Sequence, residues 1–384
     1  MTRRKHELHD ANIFLETEKN YENIFFIKDH LITYIGNKRS LLPFIEEGIN
    51  EVVQQLGKRK LSIFDGFSGS GIVARLLKKY ATELYVNDLE TYSTVLNSCY
   101  LSNKSEVDEK KIKRVVASLN KEKNRTDLGP GFVEKLYAPV DDDNIKDGER
   151  VFYTNSNAKT IDNIRRMLFD MPENEVNFYL APLLVAASIH ANTSGVFKGF
   201  YKNKDGIGNF GGDKENCLNR IKKDIILQVP VFSNFDSNLH LMQDNINTVV
   251  DKLPDIDIAY YDPPYNQHPY GSNYFMLNLI ANYEEPKNIS KVSGIPNSWN
   301  KSSFNQRAEA LQEFDSIINK TNAKFILVSY NNEGIIGFDD LKFMLEKHGA
   351  VKVKIKNYSA FKASRNLHKR EKNVKEFLFI LEKG

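Results

Sequence analysis

The sequence predicts an α/β protein in which a largely parallel sheet is covered by helices on both faces. Three observations predict it. Short apolar runs alternate with longer amphipathic stretches at both ends of the chain, the first such run enters a glycine turn that opens a helix, and a polar middle separates the two ends. With 384 residues, 41% apolar and 27% charged, the chain can bury one large core or two modest ones.

The run LSIFD from Leu61 reads as a buried strand. It enters GFSGSG and then IVARLLKKY, whose Ile72, Val73, Leu76 and Leu77 recur at helical spacing. ELYVND is a second strand ending in Asp88, so neighbouring strands deliver Asp65 and Asp88 to one sheet edge, where ligands of such sheets bind. Between 91 and 235 the chain turns polar and lysine-rich, with DEKKIKRVVASLNKEKNR, DDDNIKDGER and GIGNFGGDKEN, and is expected to be a mainly helical insert. The sheet-forming parts are therefore 1–90 and 236–384. NLHLMQD, DIDIAYYD, AKFILVSY, VKVKIKNY and NVKEFLFIL resume the sheet, the last two as an antiparallel pair flanking the basic loop YSAFKASRNLHKREK.

The 53 Lys+Arg against 50 Asp+Glu give a formal charge of +3, so a nucleic-acid partner would be met by a local basic surface. Cys99 and Cys217 form neither a CxxC pair nor a Cys/His cluster, and the eight histidines show no ligand spacing, so neither a metal nor a disulfide framework is expected. No apolar run approaches the roughly 20 residues of a membrane span, and MTRRKHELHD lacks a signal-peptide core; the expectation is a soluble cytoplasmic protein without a membrane partner.

Gly66, Gly69 and Gly71 sit between strand and helix in G-x-x-G-x-G order, where missing Cβ atoms allow a tight turn and close approach of a ligand to the backbone. No Gly-Lys-Ser/Thr follows, which argues against a P-loop. Such a turn also serves as a plain connector, but Asp88 is placed to accept from both hydroxyls of a ribose, which favours a nucleoside cofactor. The most informative segment is Asp262-Pro263-Pro264-Tyr265, at the end of an apolar strand. Two prolines fix φ and remove two N–H donors, setting the Pro263 carbonyl beside the Asp262 carboxylate. Two acceptors suit an exocyclic amino group with two protons to give, and Tyr265 can stack on the heterocycle that bears it. Holding both protons favours a pyramidal nitrogen whose lone pair attacks, and Asp262 stabilises the charge that develops.

FDGFSGSG, Asn87-Asp88 and DPPY at 262–265 together resemble the adenine N6 DNA methyltransferases that use S-adenosylmethionine, the Dam-like group and restriction-modification adenine methylases in particular. YIGNKRSLLPFI at 34–45 resembles the segment that precedes the glycine turn in that group, with Gly36-Asn37 where relatives often carry two glycines. DPPYNQHPYGSNYFMLN, ILVSYNNEGII and YSAFKASRN extend the likeness, and the cofactor motif precedes the catalytic one, as in the alpha arrangement. The resemblance implies a Rossmann-like seven-stranded methyltransferase sheet. It implies that Tyr34 and Lys38 contact the methionine end of the cofactor, that Asp65, Gly66, Phe67, Ser68, Gly69 and Gly71 surround the amino acid and sulfonium, that Asp88 binds the ribose, and that Asp244 with Asn245 meets the cofactor adenine. Asp262, Pro263, Pro264 and Tyr265 then hold an adenine flipped out of duplex DNA, since its N6 is otherwise inside the helix.

Lys198 and Lys202 lie among Phe197, Phe200 and Tyr201 in a glycine-containing stretch suited to nucleic acid, though the aromatics are as readily core. Lys301 follows the only tryptophan, and Lys362 and Arg365 lie in the C-terminal basic loop; these five are the expected DNA contacts. Lys352, Lys354 and Lys356 read instead as the solvated face of an edge strand. His190 reads as a packed residue and His268 as one at the site rim. Double-stranded DNA is the expected partner, with a cognate restriction endonuclease as a further candidate. The rival readings are an RNA adenine methyltransferase using the same pocket and a non-catalytic DNA-binding regulator that keeps the fold.

Overall fold

The structure, a computed structural model, describes residues 21–267, 269–358 and 374–384. Lys362, Arg365 and His268 lie outside the described residues. Seven strands form one sheet: β1 (Leu61–Asp65), β2 (Ala81–Asn87), β3 (Asn238–Met242), β4 (Ile256–Tyr261), β5 (Ala323–Asn331), β6 (Gly349–Tyr358) and β7 (Val374–Lys383). Their order is β3-β2-β1-β4-β5-β7-β6, with β3, β2, β1, β4 and β5 mutually parallel and β7 antiparallel to both its neighbours. All seven expected strands are present, as is the terminal antiparallel pair.

The central strands are apolar on both faces because helices cover both. On one face the helix Leu42–Leu56 turns Phe44, Ile45, Ile49 and Val52 inward and stops at Gly57, whose φ of 63° lets its N–H close on Val53. It approaches β7 closely because position 48 is glycine: a Cβ there would lie 2.4 Å from Leu378. On the other face the helices Ala310–Lys320 and Phe338–Glu346 bury Phe314, Ile317, Leu341 and Leu345 against Ile326, Phe379 and Leu381. Each such side chain contributes about 1.5–3 kcal/mol by leaving water. The edge strand β6 is solvated as expected: Lys352 and Lys354 pair with Glu51 rather than forming a free basic patch.

Between β2 and β3 the described chain forms helices and no strand, including Thr91–Tyr100, Glu109–Glu122, Asn155–Met167 and Glu173–His190. Their apolar faces build a second core that also takes in Leu31, Ile32 and the helix Phe275–Asn282, so this segment is packed against both the N-terminal segment and the helix that follows Asp262. Phe197 is fully buried in that core, with Phe200 packed against it, so the aromatics of the 194–202 stretch are structural. His190 is packed as expected, its Nδ1 against the Arg220 carbonyl. Buried Arg75, on the helix after the glycine turn, donates to the Phe26 and Asp29 carbonyls and pins the N-terminal segment that leads to residue 34. Among the described residues no helix is long and apolar enough to cross a membrane, no group of three His, Cys, Asp or Glu is placed to hold a metal, and both cysteines are free thiols.

Candidate active site

The strand order explains the site. β3, β2, β1 and β4 are neighbours, and each ends in or beside an aspartate, so Asp244, Asp88, Asp65 and Asp262 follow one another along the carboxyl edge of the sheet. All four line one cleft, together with Tyr34, Lys38, Gly66, Phe67, Ser68, Asn245, Pro264 and Lys301. A crevice outside the carboxyl ends of parallel strands is where ligands of open α/β sheets bind.

The glycine turn is shaped by its neighbours. Gly69 has φ 55°, and a Cβ there would lie 2.7 Å from the Tyr34 ring; Gly71 has φ 76°, and a Cβ would lie 2.4 Å from Asn97 Oδ1. Both positions therefore demand glycine for conformation and for space. The Gly69 amide donates to Asp88 Oδ2 at 2.6 Å and the Glu90 amide to Oδ1 at 2.9 Å, which fixes the carboxylate at the mouth of the turn and still leaves it lone pairs. Asp65 is buried at the base of the cleft. Neither of its oxygens meets a well-aligned donor, with the Phe67 amide and Ser68 hydroxyl only weak neighbours, and burial holds its carboxyl well above the usual range. Asp244 and Asn245 are exposed at the far rim, where Asn245 caps the short helix Ile246–Val250 through the Asn247 amide.

Asp262 leaves β4 at the other end of the row. Burial pushes its carboxyl up to about 6, against the opposing pull of Lys38, whose ammonium lies 2.9 Å from Asp262 Oδ1. Lys38 is only 2% exposed and also lies 3.1 Å from Glu376 Oε1 on β7. The ammonium thus stands at ion-pair distance from both carboxylates, although Asp262 Oδ1 receives no well-aligned hydrogen bond. The two prolines carry no N–H, and among the described residues no hydrogen bond takes the carbonyl of Pro263, which is itself buried next to Asp262 in the chain and does not line the cleft, unlike Asp262 and Pro264.

Tyr265 is held edge-on to Tyr330 with ring centroids 6.4 Å apart, and its carbonyl accepts from the Ile335 amide. Gly36 packs against the ring: its φ is 73°, and a Cβ would lie 2.8 Å from the phenol oxygen. Gly36→Ala is therefore expected to displace Tyr265 and lower single-turnover methyl transfer by about tenfold, the factor that roughly 1.4 kcal/mol of lost positioning carries, with little change in cofactor affinity measured by calorimetry.

The structure also supplies contacts that the motifs do not reveal. Tyr34, Tyr270 and Tyr274 form a stack, with centroids 4.9 Å apart for Tyr34 and Tyr274; the Tyr274 hydroxyl accepts from the Ile35 amide and the Tyr270 hydroxyl donates to the Ile35 carbonyl. This clasp joins the N-terminal motif to the loop after Pro264. Buried Glu90, raised to about 7 by burial, accepts from Asn278 and Asn300 and so ties the end of β2 to the helix Phe275–Asn282 and to the loop bearing Lys301. A lone acid two residues after the ribose-type aspartate was the available signal for Glu90, and a lone acid within KEFLFIL that for Glu376. Lys198, Lys202 and Lys301 are all exposed; only Lys301 is at the cleft, 5.7 Å from the Trp299 ring centre, while Lys202 lies over Phe200. The Phe197 amide donates to the Asn273 carbonyl, which places the Lys198 loop next to the loop that follows Pro264.

The family model of the D12 class N6 adenine-specific DNA methyltransferases matches residues 34–342, a span that begins at Tyr34 and includes the whole row of aspartates. The chain is 31% identical to the type II methyltransferase M.CviAII of Paramecium bursaria Chlorella virus 1 over 91% of its own length and 98% of that protein's. It is 28% identical to the type II methyltransferase M.NlaIII of Neisseria lactamica, over 92% and 99% respectively. Similarity to the modification methylase StsI of Streptococcus sanguinis, 30% identical, covers 91% of this chain but 52% of that longer protein. With the cleft and the Asp262–Tyr265 segment inside the matched span, the chain belongs to the D12 class N6 adenine-specific DNA methyltransferases.

Proposed function

We propose that this chain transfers a methyl group from S-adenosylmethionine to N6 of an adenine flipped out of duplex DNA, as the modification component of a restriction-modification system. The observation that carries the reading is the Asp262 carboxylate, buried beside the free Pro263 carbonyl at one end of a cleft whose other end presents Asp65, Asp88 and Asp244. Relatives named type II methyltransferases and modification methylases support the biological setting.

The residues present fit the cofactor. A buried carboxylate without a well-aligned donor, Asp65, suits the cationic amino-acid and sulfonium end, and Gly66, Phe67 and Ser68 of the glycine turn line the cleft beside it. Asp88 is oriented to take a ribose, and Asp244 with Asn245 stands at the far rim for the adenine. When bound, S-adenosylmethionine supplies an electrophilic methyl group. The chain does the rest by placement: Asp262 and the Pro263 carbonyl hold the two amine protons, Tyr265 supports the face of the base, and the tyrosine clasp keeps the two halves of the pocket together. The proton lost after transfer goes to solvent.

The helical segment 91–235 is the proposed target-recognition region. Lys198, Lys202 and Lys301 are proposed as phosphate contacts, which makes DNA affinity fall with salt.

Because Asp262 must be ionised to accept its amine proton and to face the charge that grows on nitrogen, and burial pushes its pKa up to about 6, kcat/KM is expected to be constant at neutral pH and to fall as pH drops through about 6. A pH–rate profile checks the sign: protonation below the pKa removes activity. The acceptor assignment is tested by incubation with tritium-labelled S-adenosylmethionine and either unmethylated duplex DNA or structured RNA. Label in DNA supports it, and label in RNA alone overturns it.

A further inference from the structure

We infer that Glu376 on β7 is a positioning residue for methyl transfer, acting through Lys38 to set the orientation and charge of the Asp262 carboxylate. This rests on the reading of Asp262 as the acceptor of the adenine amine.

Glu376 is fully buried in β7, directly before the buried apolar run 377–381 and next to β5 in the sheet. The strand does not need it: a carboxylate taken out of water destabilises a sheet core unless it is paired and hydrogen-bonded, and an apolar side chain of like volume serves the packing better. Its Oε1 receives the Ser329 hydroxyl at 2.7 Å and faces Lys38 Nζ at 3.1 Å, while Oε2 meets no donor among the described residues. Lys38 Nζ in turn faces Asp262 Oδ1 at 2.9 Å. One ammonium is therefore shared by two carboxylates. Sharing has two consequences. Lys38 is held from behind by Glu376, so its ammonium stays at ion-pair distance from Asp262 Oδ1, and Oδ2 is left to the substrate. The ammonium also neutralises Asp262 incompletely, and the Glu376 charge opposes ionisation of Asp262 from the same side, so the carboxylate remains a strong acceptor for a developing ammonium-like nitrogen.

Among the described residues the other ionisable groups facing Asp262 do not take over this role. Asp65 on β1 is itself pushed towards its neutral form by burial, and burial raises the phenols Tyr260, Tyr265, Tyr270, Tyr330 and Tyr358, which stay neutral throughout the range concerned.

The test is the pH–rate profile of Glu376→Gln, which removes the charge and keeps the shape. With Glu376 neutral, Lys38 acts on Asp262 alone, so the acid limb should move to lower pH by about one unit, as the loss of a like charge at this range does. The plateau rate should fall about tenfold, equivalent to one weakened charge-assisted hydrogen bond, with the cofactor dissociation constant unchanged. Glu376→Asp, which keeps the charge, should return the limb towards its wild-type position. If Glu376→Gln does not accumulate, Glu376→Met removes the charge in a side chain suited to a strand core, and the same downward shift is required of it. A limb that stays in place or moves to higher pH overturns the inference, as does a loss confined to cofactor affinity. A wild-type profile with no acid limb, or undiminished turnover in Asp262→Asn, overturns instead the reading of Asp262 on which the inference rests.

Discussion

Asp262→Ala should lower single-turnover methyl transfer by a thousandfold or more while leaving cofactor affinity within about threefold of wild type. The magnitude follows from what the carboxylate does. It accepts an amine proton in the ground state and faces the positive charge that grows on nitrogen as the new bond forms, and removal of one such preorganised group typically costs about 10²–10³ in rate. Here the truncation also leaves Lys38 paired with Glu376 alone, so the cavity turns from an acceptor of protons towards a site that repels a cationic nitrogen. Cofactor affinity should hold because Asp65, Asp88 and Asp244 lie on other strands and keep their own supports, the Gly69 and Glu90 amides for Asp88 and the Asn245 amide for Asp244. Rapid-quench turnover and calorimetric titration measure the two quantities separately. Near wild-type turnover in the variant would remove Asp262 from the chemistry.

Asp65→Asn should separate stability from function. The Asp65 carboxyl is buried with no well-aligned donor, faces Asp262 and Asp88 as like charges, and is pushed well above the ordinary carboxylate range. Burial opposes ionisation of Asp65 and so opposes folding at neutral pH; a non-titrating isostere removes that cost, so the variant is expected to melt higher at pH 7, the gain fading as pH falls through the ordinary carboxylate range. The same change removes the partner proposed for the cationic end of the cofactor, and affinity should fall by about a hundredfold, equivalent to roughly 2.7 kcal/mol. Thermal melts without cofactor and titration with S-adenosylmethionine give both signs. A variant less stable than wild type, or one that binds equally well, would show that Asp65 is a structural acid rather than a cofactor ligand.

The parts of the fold legible in the sequence are those encoded over a few consecutive residues. LSIFD and IAYY are strands because they are short apolar runs, GFSGSG is a turn because Gly69 and Gly71 occupy left-handed backbone that other residues resist, and DPPY ends a strand because proline cannot continue the ladder. The row of four aspartates was half legible: each stood at a strand end, but their sequence in space depends on the order β3-β2-β1-β4, which no local pattern encodes. Interactions between the ends of the chain were not legible. Lys38 meets Glu376 only because β7 inserts between β5 and β6, and the Tyr34, Tyr270 and Tyr274 clasp exists only because Arg75 and the Ile35 backbone fix the N-terminal segment over the site. Phe197 and Phe200 carried the composition of a nucleic-acid loop, yet burial against the helical core claims them; the exposed lysines beside them are what remains for DNA. Glu90 belongs to no motif, and only the approach of Asn278 and Asn300 gives it a role.

The most direct test of the account is nucleoside analysis of unmethylated duplex DNA after incubation with tritium-labelled S-adenosylmethionine, with wild-type protein and Asp262→Ala side by side. The expected result is label in N6-methyladenine from the wild type and none from the variant, with both proteins binding the cofactor. Label in N4-methylcytosine, or equal label in N6-methyladenine from the two proteins, would contradict the assignment of the Asp262–Tyr265 pocket to the adenine amine.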